Sequence, residues 1–264
     1  MIKCLIRVYV WICSFGLTAQ SAEINQASVG TGPFVSTDQS QWALFRNMAG
    51  LAESDSWSML LAYHYPYNLK ELQSLAWGII IPSKPKLGIS IFQSGSNLLL
   101  NQQIALSIAK NFDGLNLGLR LKYWRLTIAG HDHLASLSMA VGIQVKLTKK
   151  LVIGTFLSNI TQNQIGNEEL LPTMWFTGIS YDPSPKLQLI LEIGHNLGYT
   201  WDYKLGFDYK FKKKISVRSG LNSSNRQGHF GLGFHTNKIQ LDYALGIHFL
   251  LGISHQAGLS YSWP

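Results

Sequence analysis

Beyond residue 22 the chain has no run of about 20 consecutive apolar residues, the length a helix needs to cross a bilayer. Its longest apolar stretch covers residues 75–82 only. Charge is scarce too: Asp, Glu, Lys and Arg make up 14% of the 264 residues, against roughly 25% in soluble proteins. Thiols are confined to Cys4 and Cys13. Helical membrane spans, a highly charged soluble surface and a disulfide framework are therefore excluded for the bulk of the chain.

What is present is 46% apolar residues, 12% aromatics, 24 glycines and a net charge of +8. Residues 1–22 have the pattern of a secretory signal: basic Lys3 and Arg7, an apolar stretch over residues 8–17, then small Ala19, Ser21 and Ala22. An exported chain that is apolar yet lacks spanning helices leaves a closed barrel, because only helices and barrels satisfy every backbone polar group in lipid. Export also argues against nucleic acid as the target of the basic charge.

The alternation supports this. In TWDYKLGFDYKFKKK, residues 200–214, Trp201, Tyr203, Leu205, Phe207, Tyr209 and Phe211 share one face, and Asp202, Lys204, Gly206, Asp208 and Lys210 the other. A period of two is a strand with two unlike faces. About 14 such segments follow one another between residues 57 and 263, among them 115–127, 135–147, 151–160 and 187–195. Their second face is Gly, Ser and Ala with a few charges of both signs, which suits a crowded barrel interior rather than a solvated surface. The fold class expected is therefore all-β: a transmembrane antiparallel β-barrel of about 14 strands.

The connections also alternate. Short basic ones carry Lys84, Lys149, Lys186, Lys213 and Lys238; longer, more varied ones carry Asn167 and Ser224. Short turns on the periplasmic side and longer loops outside are usual for bacterial barrels.

Residues 23–56 do not alternate. Asp38 is a candidate cap for a short helix over residues 39–45. Trp42, Phe45, Asn47 and Met48 are assigned to a plug packed inside the lumen, with room provided by inward glycines such as Gly118, Gly142 and Gly154. The expected organisation is a signal at 1–22, a plug or hatch segment at 23–56 and the barrel at 57–264. The inward charges are Arg120, Lys122, Glu192, Asp202, Lys204, Asp208, Arg218 and Asp242, four basic and four acidic. Their balance favours a network tying wall to plug over an ion-selective conduit.

DQSQWALFRNMAGLA, residues 38–52, resembles the D-x-x-A-x-x-x-NPAGLA signature that opens barrels of the FadL-like superfamily, and more closely the PorV/PorQ outer-membrane family. QLDYALGIHFLLGISHQAGLSY, residues 240–261, resembles that family's closing segment. The chain departs from the pattern at Met48, where the family usually has proline. The resemblance implies a 14-stranded barrel with an N-terminal plug in the bacterial outer membrane. It also implies a non-enzymatic binding or scaffold component linked to type IX secretion or surface attachment of cargo. The alternative is a FadL-like transporter of small hydrophobic solutes, which calls for an apolar pocket near the plug and a lateral opening in the wall. The partners expected are outer-membrane lipid, with secretion-system proteins, exported cargo or a small hydrophobic ligand.

No catalytic, cofactor or metal site is expected. His131, Asp132 and His133 sit together at a loop tip, but neighbouring residues of an extended chain point apart. Ser254 and His255, the one adjacent Ser-His pair, fail a nucleophile-base geometry for the same reason.

Overall fold

A computed structural model describes residues 34–165, 169–196, 201–212, 214–224 and 226–264. The signal segment 1–22, residues 23–33, Asn167 and Lys213, all assigned roles above, lie outside the described residues.

Among the described residues sixteen strands follow in chain order: β1 Trp57–Tyr65, β2 Ser74–Ile81, β3 Lys86–Gly95, β4 Leu99–Phe112, β5 Leu115–Ile128, β6 Leu134–Thr148, β7 Leu151–Leu157, β8 Gln164–Ile165, β9 Glu169–Leu170, β10 Met174–Ser184, β11 Leu187–Asn196, β12 Trp201–Lys212, β13 Ile215–Asn222, β14 Gln227–His235, β15 Ile239–His248 and β16 Gly252–Trp263. Fourteen of them close into one antiparallel barrel; β8 and β9 form a separate two-stranded hairpin. Closure runs through β1 and β16, paired from Trp57↔Trp263 to Tyr65↔His255. A closed ladder leaves no edge unpaired, which is what lets strands stand in lipid.

The register puts one face of every strand outward. Leu205, Leu221, Leu232 and Leu191 are each half exposed or more, although they belong to regular strands. Water would penalise that belt at roughly 25 cal/mol per Å²; lipid does not. Rings gather at both ends of the belt. Trp57 stacks on Trp263 and Trp263 on Tyr261 at the turn end, and Trp175 and Trp201 meet edge to face at the loop end. Amphipathic rings favour these interfacial levels. Among the described residues no helix is long and apolar enough to cross a membrane.

The wall is uneven in height. β4, β5 and β6 run 14, 14 and 15 residues, whereas β7 has 7 and β13 has 8. The alternation over residues 151–160 predicts a longer β7. It stops at Leu157 because Ser158 and Asn159 turn to bond the chain beyond: Ser158 N donates to Met174 O and Asn159 Nδ2 to Leu171 O. The connecting segment then takes over carbonyls that β7 leaves free on β6, with Ile160 N donating to Met139 O at 2.9 Å. Ile165 and Leu171 pack on Trp124 below it.

Residues 34–53 run inside the barrel. The helix expected over 39–45 is instead a 3-10 turn, Gln41–Leu44, and its cap is Ser40, whose hydroxyl accepts from Trp42 N. Asp38 is drawn off by other donors: Ser40 N at 2.8 Å and Arg46 Nη1 at 2.6 Å. A second 3-10 turn, Met48–Glu53, is capped by Asn47, whose side chain accepts from Ala49 N. Met48, standing where the resembled family has proline, opens this turn.

Candidate functional site in the barrel lumen

The lumen is occupied by residues 34–53, and two kinds of wall hold them. On one side Trp42, Leu44, Phe45, Met48 and Leu51 pack with the inward Leu60, Ala76, Ile80, Phe92 and Phe156 in one apolar cluster. These wall residues sit at alternate positions of β1, β2, β3 and β7, so the strand period itself aims them inward. Trp42 and Met48 are essentially inaccessible to solvent, and Phe45 is nearly so.

Two glycines set the closeness of approach. A side chain at Gly142 would overlap Asn47 Oδ1, and one at Gly154 would overlap the Ser36 carbonyl. Asn47 uses the room to donate through Nδ2 to Ser36 O at 2.6 Å and to the Thr155 carbonyl of β7 at 3.1 Å.

The opposite wall is ionic. Glu192 of β11, fully buried, accepts from Val35 N at 2.8 Å, from Ser36 N at 2.6 Å and from Ser36 Oγ at 2.6 Å. Lys204 of β12 donates to the same carboxylate at 2.9 Å and stands 3.6 Å from Asp202. Its ammonium also lies 4.1 Å from the centre of the Phe176 ring. Arg218 of β13 bridges Asp208 and Asp242, and Asp242 accepts from Trp42 Nε1 at 3.2 Å. Arg120 of β5 donates to the Leu44 carbonyl and to Ser107 Oγ. Lys122 of the same strand places its ammonium 4.8 Å from the centre of the Trp124 ring. Seven of the eight inward charges thus fall into two carboxylate-cation groups and one arginine on the segment's backbone. A buried charge persists only when paired and hydrogen-bonded.

The segment closes much of the lumen. A cavity of about 20 Å³ remains beside Phe45, Phe92 and Lys122. A larger space of about 380 Å³ opens at the turn end, between Trp42 and Gln39 on the segment and Gln188, Asp208 and Gln240 on the wall. On the outer face a groove of about 470 Å³ runs between Leu191, Tyr203, Leu205 and Leu221 and reaches Lys204 and Asn222. Those two are the last register pair of β12 with β13. Above them the short β13 has ended, and on that side Tyr203 meets the turn, its carbonyl accepting from Ser223 N at 2.9 Å and its N donating to Ser223 Oγ at 2.8 Å.

No protein-family model and no curated protein matches the chain. Solved structures do. The CymD monoaromatic hydrocarbon channel aligns with a TM-score of 0.64 at 12% identity, over 91% of this chain and 99% of that one. The Pseudomonas putida toluene transporter TodX gives 0.65 at 11% identity, over 90% and 97%. A Pseudomonas aeruginosa FadL homologue gives 0.58 at 12%, over 91% and 96%. The barrel has the fold of the FadL-type channels. At these identities the likeness is one of fold.

The sequence reading missed Gln144, which donates through Nε2 to Ser36 O at 3.0 Å and Asp38 O at 2.8 Å. A signal existed: it is the one large polar residue in the inward series Ser136, Ser138, Ala140, Gly142, Gln144. His64, also unremarked, points inward from β1 and is buried, as is His229 of β14. His131, Asp132 and His133 lie exposed in the β5–β6 loop. Ser254 faces the lumen, accepting from Tyr67 N, whereas His255 bonds the Tyr243 hydroxyl on the outer face.

Proposed function

We propose that the chain is a bacterial outer-membrane barrel that passes small hydrophobic solutes, with the lumen segment 34–53 as its movable obstruction. The observation that carries this reading is the apolar groove over β12 and β13, which meets lumen-facing residues where the β12–β13 ladder ends. The hydrocarbon channels that share the fold support the solute class. An engineered cavity of about 150 Å³ takes up benzene, whereas roughly 10–15 Å³ suffices for one water. The cavity of about 20 Å³ beside Phe45 is therefore a closed state, and passage requires the segment or the Phe45 and Phe92 rings to shift.

The test is uptake of a monoaromatic hydrocarbon by cells with and without the barrel. A Gly228→Phe variant is compared, since Gly228 lines the groove with only Leu221 near its missing side chain. Uptake should rise with the barrel and fall with the variant. Equal uptake with and without the barrel sinks the reading.

The filled lumen and the end motifs resembling PorV/PorQ support a second reading, a scaffold for type IX secretion or for surface attachment of cargo. Affinity isolation from native outer membranes separates the two. A co-purifying secretion component or cargo protein supports the scaffold, and a bound hydrophobic small molecule the transporter.

A further inference from the structure

Each of the six turns at one end of the barrel has an exposed lysine in it or, at β4–β5, just before it. Lys84 lies between β2 and β3, Lys110 just before the β4–β5 turn, Lys149 between β6 and β7, Lys186 between β10 and β11, Lys214 between β12 and β13, and Lys238 between β14 and β15. Further lysines, including Lys150 and Lys212, stand beside them. The opposite end has no such excess: Lys70, Arg125 and Arg226 are offset there by Glu71, Asp132 and Asp202. The lumen network does not absorb the ring. Of the turn-end lysines, Lys86 and Lys146 are ion-paired, to Asp55 and Glu53, and the remaining lysines still outnumber Asp113 and Asp182 at that end.

Two of the lysines show where the ring sits relative to lipid. Lys110 places its ammonium 4.9 Å from the centre of the Phe112 ring, and Lys212 lies 5.9 Å from that of Phe211. Phe112 and Phe211 are exposed rings of the outer face, about half accessible. The two ammonium groups therefore stand against the lipid-facing wall at its rim, not over the lumen mouth. A lysine so placed covers apolar surface with its stem and keeps its charge at headgroup depth. A cation there meets lipid phosphate, and each lysine near an anionic membrane surface strengthens binding roughly fivefold.

We propose that the turn-end ring is a binding belt for anionic glycerophospholipid, with Lys110 and Lys212 as two of its headgroup contacts. The belt encircles the barrel, because all six turns contribute. A surrounding leaflet fits that distribution, whereas a docked protein would need the charge on the mouth or on one sector. The belt also orients the barrel: the turn end sits in the leaflet that supplies anionic glycerophospholipid. This inference is independent of what the lumen carries, so loss of hydrocarbon uptake would leave it standing.

The test uses the full exported chain in detergent, with phosphatidylglycerol or phosphatidylcholine added and retained lipid counted by native mass spectrometry. The barrel should retain phosphatidylglycerol in preference. That preference should weaken on raising salt from 0.05 to 0.5 M, as screening requires. Lys110→Gln combined with Lys212→Gln should lower phosphatidylglycerol retention roughly 25-fold. Lys70→Gln, at the loop end, should leave it unchanged. Circular dichroism and heat-dependent gel migration check that each variant is folded, and the salt dependence of the unaltered chain stands even if a variant is not. Equal retention of the two lipids, or equal loss in the Lys70 control and the paired variant, overturns the proposal. So does a ring that retains no anionic lipid but captures an acidic periplasmic protein.

Discussion

The segment at residues 34–53 meets two unlike walls, and their contrast says how such a filled barrel is held. Toward β1–β3 and β7 it packs apolar side chains on Leu60, Ile80, Phe92 and Phe156. Toward β11, β12, β13 and β15 it is bonded to Glu192 and Asp242, each in turn paired with a cation. Dispersion and burial are nondirectional, so the first wall tolerates small slides and exchanges of shape. Charge-assisted hydrogen bonds are short and directional, so the second fixes one position. The apolar wall supplies adhesion, and the ionic wall supplies register.

Removal of the whole segment is the largest perturbation of this arrangement. Each wall strand keeps both ladder neighbours, so a chain lacking residues 34–53 should still insert. A barrel of 14 strands emptied of its filling encloses water. Single-channel conductance in a planar bilayer should rise from near the baseline to a porin-like level. A full-length protein that already conducts at that level breaks the comparison, because neither wall would then be holding a seal.

Next in size is Glu192→Ala. It strips three bonds from residues 35 and 36 and takes the 2.9 Å carboxylate partner from Lys204, which is fully buried and stands 3.6 Å from Asp202. Breaking one side of a buried pair costs about 3–5 kcal/mol, and Asp202 keeps the expectation at the lower end. The readout is the urea midpoint of the detergent-folded barrel. Adding Lys204→Met should recover most of the loss. No recovery would mean that Glu192 acts by packing rather than by charge.

The outer wall offers a control on that number. Leu117→Arg places a charge on the lipid face without touching the segment, and should cost roughly 2–4 kcal/mol near the bilayer midplane, read as the folding midpoint in lipid vesicles. Its conductance should remain that of the unaltered protein. Within the lumen, Met48→Leu is the apolar counterpart of Glu192→Ala. A volume-conserving exchange in the adhesive wall should cost less than about 1.5 kcal/mol. A cost equal to that of Glu192→Ala would erase the distinction between the walls.

The two walls were not equally legible in the sequence. The apolar outer face was, because six large residues at period two in residues 200–211 mark a two-faced strand and the Gly, Ser and Ala of the other faces mark a crowded lumen, and β12 begins and ends within a residue of that reading. β1, β14 and β15 follow their alternation end to end. The eight inward charges were legible as inward, but not as pairs. Whether Arg218 meets Asp208 or Glu192 depends on the stagger of β12 on β13, which periodicity leaves open. Gln144 and the Ser40 cap were missed for a related reason. Both are defined by the carbonyls and amides of a segment with no repeat, whose path depends on the wall around it. The short β7 likewise reflects tertiary bonds from Ser158 and Asn159 that override a continuing alternation.

The smallest expected effect is at Glu53, where the segment leaves the lumen at the turn end, outside the spanning strands. Partial burial pushes its carboxyl up, but donors from Lys146 and Asn116 and the Lys146 charge outweigh that and hold it below its usual value of 4.5. A carboxyl with a depressed folded pKa binds its proton more readily in the unfolded chain. Its stabilising contribution is therefore fully present above about pH 4.5 and is lost as pH falls through the lower folded value. Urea midpoints measured from pH 6 down to pH 3 should decline for the unaltered protein, with part of that decline below pH 4.5. Glu53→Gln keeps the shape and the Asn116 contact while removing the titration, so its decline over the same interval should be shallower. At pH 6 the variant should sit slightly below the unaltered barrel, and the two curves should converge toward pH 3. Parallel curves would show that the Lys146 pair is screened by water at the mouth. The ionic grip on the segment would then end at Asp242 and Glu192.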